Sequence, residues 1–383
     1  MTRFLLVAMA VSPALYAQFG DGSDGAFSPT GTGATTITFD PAVLGLNPAG
    51  DNVFKFTTIT IPSNVTILMP ADVLRNKPVI WLATGAVNIA GTINIAGAAG
   101  ATMSSVNPGQ ARYPAMPGAG GFPGGIGAYL TSAATNGDGY SGGVTTTGNG
   151  GQGGFGYNSN QLVPLLGGSG GAGGQIGTGP AGGNGGAGGG AIRIVSAVSI
   201  TVTGNIYAFG GPAGGGLQGS YNGGNGSGGV IHLVAPTITN SGVLNVNNGS
   251  PIGVVRFSGT NLSIGGSVST GFVTGPFYNP PLPSGVPLVK VVSVNGVAAP
   301  NDLTGSALAP DFTISTMSTV SVNIAAAYIP VATVVTLRLS SEQGNDATIS
   351  CSALAGTLAS STATCTGVTF PQGVTITDIK AVW

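Results

Sequence analysis

Apolar residues in this chain recur at every second position, in short runs broken by Gly, Ser, Asn and Pro. Four stretches align on this pattern: VIWLATGAVNIAGTINIAGAAG from Val79, AIRIVSAVSITVTGNIYAFGG from Ala191, VIHLVAPTITNSGVLNVNNGS from Val230 and VVRFSGTNLSIGGSVSTG from Val254. An earlier run, VFKFTTITIPSNVTILMP from Val53, fits more loosely. Period-2 alternation places one face of each strand inward. In the simplest alignment Ile80, Ile192, Ile231 and Val255 share one inward position, and Leu82, Ile194, Leu233 and Phe257 the next. Trp81, Arg193, His232 and Arg256 fall between them and are expected to point outward, as candidate surface-contact residues. Units of ~20 residues with three short strands each suit the coils of a parallel β-helix. Five coils stacked ~4.8 Å apart would make a rod roughly 20–25 Å long.

Two glycine-rich segments, 97–190 and 210–229, interrupt this pattern. Each begins after the third strand of a unit and ends before the first strand of the next, so both should leave the rod at one corner. Parts run in triplets: GGSGGAGGQ from Gly167 and GGNGGAGGG from Gly182. Glycine at every third position lets polyproline-II strands pack closely. A flexible linker is the other reading of such composition. Tyr113, Phe122, Tyr129, Phe155, Tyr157, Leu162 and Leu165 are anchors that a pure linker would not need.

The expected organisation is all-β. A signal peptide at 1–17 precedes a β-helix over 18–280 that carries the two insertions. A Pro-rich linker at 281–286 leads to an immunoglobulin-like β-sandwich over 287–383. The leader reading rests on Arg3, the apolar run Phe4–Val11 and a small residue, Ala17, before Gln18. Seven strand-like runs between turn signals suggest the sandwich: LVKVVSVNG, DFTIST, TVSVNIAAA, TVVTLRLSS, ATISCSA, TATCTGVTF and VTITDIKAVW. Cys351 and Cys365, the only cysteines, are expected to form one disulfide between two strands of a hairpin, which suits an exported chain.

Charge narrows the chemistry. Only 5% of residues are charged and the formal net charge is −1, so there is no basic surface for nucleic acid. No apolar run reaches the ~20 residues of a membrane span. Asp138 is the only acid between Val73 and Asn301. Glycoside hydrolysis generally needs two facing carboxylates, and that interval cannot supply them. Gly139–Gly143 and Gly167–Gly171 match G-x-S-x-G around Ser141 and Ser169. The motif carries meaning only on a strand-to-helix elbow, and no helix is expected. No catalytic residue is therefore assigned. Asp21 and Asp24, in DGSDG, could contribute to a calcium site; the other reading is a plain turn at the start of the rod. No other cofactor is expected.

Phe19–Gly25 followed by the strand-like Thr35–Phe39 resembles the opening of secreted pectate-lyase-like proteins. GGGAIRIVSAVSITVTGNIYAFGG resembles the coils of glycine-rich, adhesin-like proteins of the same right-handed parallel β-helix type. The likeness covers about 19–280. It implies a rod that contacts polysaccharides or surfaces. The lyases' acids and bases have no counterparts here, so their activity does not carry over. The expected function is that of a non-enzymatic, secreted, adhesin-like or matrix protein of the cell surface. Its partners would be glycans, other surfaces or further copies of itself. A carbohydrate-binding module is the alternative, with Trp81, Tyr207 and Tyr221 in one groove. An ice-binding protein is a lesser one, requiring an unblocked Thr-rich face such as Thr201, Thr203, Thr237 and Thr239 with Asn245 and Asn247.

Overall fold

The computed structural model describes residues 19–46, 50–104, 113–154, 162–247, 253–269, 271–278, 287–300, 311–315, 318–341, 347–373 and 375–383. The expected leader, the linker at 281–286, Phe155 and Tyr157 lie outside these residues.

Strand β1 (Thr35–Thr38) is followed by a four-residue helix, α1 (Pro41–Leu44), capped by Asp40. Five coils then stack. They are β2 (Val53–Phe56), β3 (Ile59–Ile61) and β4 (Val65–Leu68); β5 (Val79–Ala83), β6 (Val87–Ile89) and β7 (Thr92–Asn94); β8 (Ala191–Ser196), β9 (Ser199–Val202) and β10 (Asn205–Tyr207); β11 (Val230–Val234), β12 (Thr237–Asn240) and β13 (Val243–Asn245); and β14 (Val254–Ser258), β15 (Asn261–Ile264) and β16 (Ser267–Val268). A last strand, β17 (Phe272–Gly275), lies on β14. Corresponding strands pair in parallel, giving three sheets: β2-β5-β8-β11-β14-β17, β3-β6-β9-β12-β15 and β1-β4-β7-β10-β13-β16. This is the expected parallel β-helix.

Inside the rod, one residue from each inward position stacks on its equivalent a coil away. Ile192, Ile231 and Val255 form one column, and Ile194, Leu233 and Phe257 the next. The first aligned coil departs from expectation by one residue. Val79 pairs with Ile192 and Trp81 with Ile194, while Ile80 stands opposite Arg193. Trp81 is therefore an inward residue, fully buried, with Phe27, Phe39 and Phe56 around it at ring-centroid distances of 5.3–5.9 Å. It is not a surface-contact residue. The physical reason is plain: VIWLA has no polar member to mark its outer face, and a one-residue slip exchanges the faces of a strand.

That run has no polar member because its sheet is buried on both sides. Val79, Trp81 and Ala83 belong to the rod core, whereas Ile80 and Leu82 face a second apolar cluster with Val195, Val234, Leu162 and Phe19. A parallel sheet covered on both faces reads as a continuous apolar run rather than an alternation. The β3–β15 sheet lacks such a cover: Thr60 and Asn88 are exposed, and Thr201 and Thr239 are half-buried.

The described parts of the glycine-rich segments are bonded to one another, and their amides turn in threes. Gly182, Gly185 and Gly188 donate to the carbonyls of Ala128, Gly125 and Phe122. Gly183, Gly186 and Gly189 donate to Tyr221, Gly224 and Ser227. Asn184, Ala187 and Gly190 donate to Ala101, Ala98 and Ile95. Every third amide faces the same neighbour, and none of these nine bonds within the run Gly182–Gly190. That is the geometry of polyproline II, with three residues per turn and no internal hydrogen bonds. The segments pack backbone to backbone, so a Cβ at Gly185 would run into the Gly171 carbonyl and one at Gly186 into the Gly211 carbonyl. Asn184 is fully buried and ties the bundle crosswise: its Oδ1 accepts from Gly127 N (2.9 Å) and its Nδ2 donates to Tyr113 O (2.9 Å). Leu162 and Leu165 anchor the bundle to the covered sheet.

The C-terminal region has two antiparallel sheets. One is β19 (Val297–Ala298), β18 (Leu288–Val294), β20 (Val320–Ala327), β24 (Ser360–Val368) and β23 (Ala355–Thr357); the other is β22 (Ala347–Ala353), β21 (Val334–Ser341) and β25 (Thr375–Ala381). Leu337, Leu339, Val322 and Ile324 are fully buried between them, as a sandwich requires. Asp311–Ile314, expected as part of a strand, carries none. The Cys351–Cys365 disulfide is present, but its setting is not the expected hairpin. β24 pairs with the short β23, and Cys351 lies on β22 in the other sheet, so the bridge joins the two sheets. The sandwich meets the glycine bundle where Arg338 Nη2 donates to Thr135 Oγ1 at 3.0 Å.

Candidate contact surface

Arg193, His232 and Arg256 do point away from the rod core, stacked in register on β8, β11 and β14. The second apolar cluster and the glycine bundle cover them, so Arg193 and His232 are only 2% and 1% exposed. Arg193 Nε donates to His232 Nδ1 (3.2 Å) and its Nη2 to Leu162 O (3.1 Å). The ring proton of His232 therefore sits on Nε2, facing Ser258 Oγ at 3.0 Å, to which Arg256 Nε also donates at 3.1 Å. Burial first, then the two neighbouring guanidinium groups, push His232 well below the ordinary imidazole range. Burial and Arg256 pull Arg193 down to about 10. The row lies between bundle and rod; Arg193 and His232 are out of a partner's reach, and Arg256 at its end is half-buried.

The other candidates are placed as follows. Asp21 Oδ1 accepts from Ser23 N (3.0 Å), and its other oxygen lies 3.5 Å from Lys55 Nζ. Asp24 Oδ2 accepts from Lys55 N (2.6 Å). These carboxylates pin the N-terminal turn to β2, and among the described residues no three His, Cys, Asp or Glu converge on a metal position. Ser169 is fully buried and bonded to Ser227 and Ser141, while both ring nitrogens of His232 are engaged with Arg193 and Ser258. Asp138 lies in the bundle beside Arg338 and Lys380; burial raises its carboxyl pKa and those two cations pull it partly back. Ser, His and Asp thus stand in separate networks. The aromatic groove is also dispersed: Trp81 is in the core, Tyr207 is on the β1–β16 sheet beside Phe209, and Tyr221 is on the bundle.

The bundle itself builds a surface that inspection of single residues missed. Its segments meet the rod at Ile95, Gly190, Ala208 and Val230, and they turn at the opposite end. Gly182–Gly190 alone spans about 25 Å at the polyproline-II rise. Four turns gather at that far end: Tyr129–Ser132, Thr146–Asn149, Gln175–Ala181 and Leu217–Ser220. They are bonded to one another. Leu130 N donates to Pro180 O (3.2 Å), Gln175 N to Asn149 O (3.4 Å) and Thr178 Oγ1 to Gln218 O (3.2 Å). Ser220 Oγ donates to Gly179 O (2.8 Å) and accepts from Gly177 N (3.2 Å). Leu130 (64%) and Tyr221 (37%) are exposed there with Thr147, Asn149 and Gln218. None of the four turns carries a charge.

No family model, curated protein or solved structure matches this chain.

The surface is therefore read from its own chemistry. Tyr, Ser, Thr, Asn, Gln and Gly on short turns offer amphipathic contact and adaptable hydrogen bonding at low entropic cost, the mix found in binding loops. Leu130 and Gln218 hold positive φ of 50° and 48°, a conformation uncommon outside glycine. Such positions mark turns whose shape is imposed by their neighbours. A signal for the site exists in the sequence, in polar and aromatic punctuation between the glycine triplets, but only the packing brings the four turns together.

Proposed function

We propose that this chain is a non-enzymatic, exported contact protein, adhesin-like in its mode of action. The far end of the glycine bundle meets the partner, and the rod and sandwich hold that end out. The supporting observation is the uncharged cluster of four turns on a rigid, backbone-bonded scaffold; binding residues sit on loops positioned by just such scaffolds. Export is supported by the disulfide, which forms and persists in oxidising compartments. No helix among the described residues is long and apolar enough to cross a membrane. The partner class that fits an uncharged surface of Tyr, Asn, Gln and Thr is a neutral glycan.

The test is retention of the chain on insoluble cellulose, chitin and peptidoglycan and on immobilised oligosaccharides. The unmodified chain is compared with a Leu130→Gly, Gln218→Gly, Tyr221→Ala variant. Binding to one of these, reduced at least tenfold in the variant, is expected. Binding untouched by the variant would remove the bundle tip from the account. Release of soluble sugar would overturn the non-enzymatic reading. A second reading, ice binding, rests on the uncovered ladder Thr60–Asn88–Thr201–Thr239–Ser263. Thermal hysteresis that disappears in Thr201→Lys, Thr239→Lys would favour it.

A further inference from the structure

The two ends of the rod are built differently. At the start, Phe27 pairs with Ile59, Phe39 packs edge-on against Phe27 at 5.4 Å, and Leu46 beyond α1 packs on the core. At the other end, β15, β16 and β17 are the last strands of their sheets, and no described strand pairs with their outer edges. One coil earlier Ile238 and Leu244 are fully buried; their partners in register, Leu262 and Val268, are only partly buried. Among the described residues, those that follow β17 pair with none of these three edges. After β17 the chain turns onto the covered sheet, where Phe277 stacks on Phe19 at 5.7 Å.

Proteins protect such edges with charges, proline or bulges, because free backbone donors and acceptors invite another chain. Here residues 257–275 contain no charged residue and no proline. We infer that this end is an interface, and that its occupant is a second copy of the same chain. Three strand edges around one triangular section can be matched together only by another such section. The first end presents only the β1 edge, because Asp24, Gly25 and Phe27 are bonded along β2 and β3, so it cannot match three edges and the pairing is open end to open end. A two-fold axis across the rod sets one edge antiparallel to its own copy and pairs the other two with each other. The contact is isologous and closes at two copies. It uses none of the residues of the bundle tip and leaves both tips free, so one dimer presents two contact surfaces and gains avidity on a repetitive partner.

The experiment is analytical ultracentrifugation of the chain from Gln18, from dilute to concentrated solution, with amide hydrogen exchange at both extremes. The expected result is a reversible doubling of mass with slowed exchange confined to Asn261–Ile264, Ser267–Val268 and Phe272–Gly275. A Leu262→Lys, Val268→Lys variant should stay monomeric. A milder Ser263→Lys, Ser267→Lys variant, altered only at exposed positions, should weaken the dimer if the first fails to fold. A monomer at every concentration overturns the inference. So does a dimer whose protection lies elsewhere, and so do open-ended fibres.

Discussion

The rod and the glycine bundle solve one problem in opposite ways. Both must satisfy the backbone of extended chain. In the rod, strands pair edge to edge and side chains fill the interior, from Trp81 and Phe54 near one end to Phe257 near the other. In the bundle there is almost no side chain to bury. Amides point in three directions, and close backbone approach replaces the apolar core. The rod's stability should thus depend on the volume of its inward residues, and the bundle's on the absence of volume. The rod should tolerate variation on its outer faces and the bundle only at its turns, which are the proposed contact surface.

The largest expected effect is in the rod. Trp81→Ala removes the residue on which Phe27, Phe39 and Phe56 pack, and should cost about 3–5 kcal/mol in urea unfolding. Adding a single methyl to the bundle should rank next. Gly186→Ala places a Cβ on the Gly211 carbonyl and should cost about 3 kcal/mol, the upper part of the overpacking range. The same methyl added at Gly265, in an outer turn of the rod where a Cβ meets nothing within 4 Å, should change stability by less than about 0.5 kcal/mol. If Gly186→Ala were equally silent, the contrast between the two regions would fail.

A smaller effect runs the other way. Asn240 is fully buried in the rod, aligned with Val202, and neither side-chain polar atom has a hydrogen-bond partner among the described residues. An orphaned buried amide costs about 1–3 kcal/mol, so Asn240→Val should raise the unfolding midpoint. The smallest effects separate the regions by pH. His232 is held neutral, so below pH ~6.5 the unfolded chain takes up a proton that the folded chain refuses. Stability therefore falls as pH drops from there towards the depressed folded value, and His232→Gln should remove that slope. Asp138 in the bundle is shifted up. Between the ordinary carboxylate range and its raised value the folded chain keeps a proton that the unfolded chain loses, so stability falls as pH rises through that window. Asp138→Asn should abolish this opposite slope, read from thermal midpoints across pH.

Much of the rod was legible because alternation is a local signal. Its three later aligned coils fall in the structural register, and the first slips only because VIWLA lacks a polar marker. What hides the marker is the cover of Leu162, Leu165 and Phe277, which come from distant parts of the chain. The same cover explains why Arg193 and His232 point outward as expected yet are buried. The cysteine pairing was legible because the chain has only two cysteines. The sheet assignment was not, because the three-residue β23 forms the hairpin with β24 and sends β22 to the other sheet. The triplet rhythm suggested polyproline II, but order in the bundle depends on contacts between residues as much as 113 apart in sequence, which no local pattern records. The gathering of the four turns into one surface was invisible for that reason.

Hydrogen exchange of the Gly182–Gly190 amides, set against those of Ala191–Ser196 in β8, tests the central claim most directly. A bundle that is a second core predicts slow exchange in both stretches, with no break where the glycine segment enters the strand. Exchange of Gly182–Gly190 at the rate of a free chain beside a protected β8 would show a flexible insertion, and the scaffold for the contact surface would be gone.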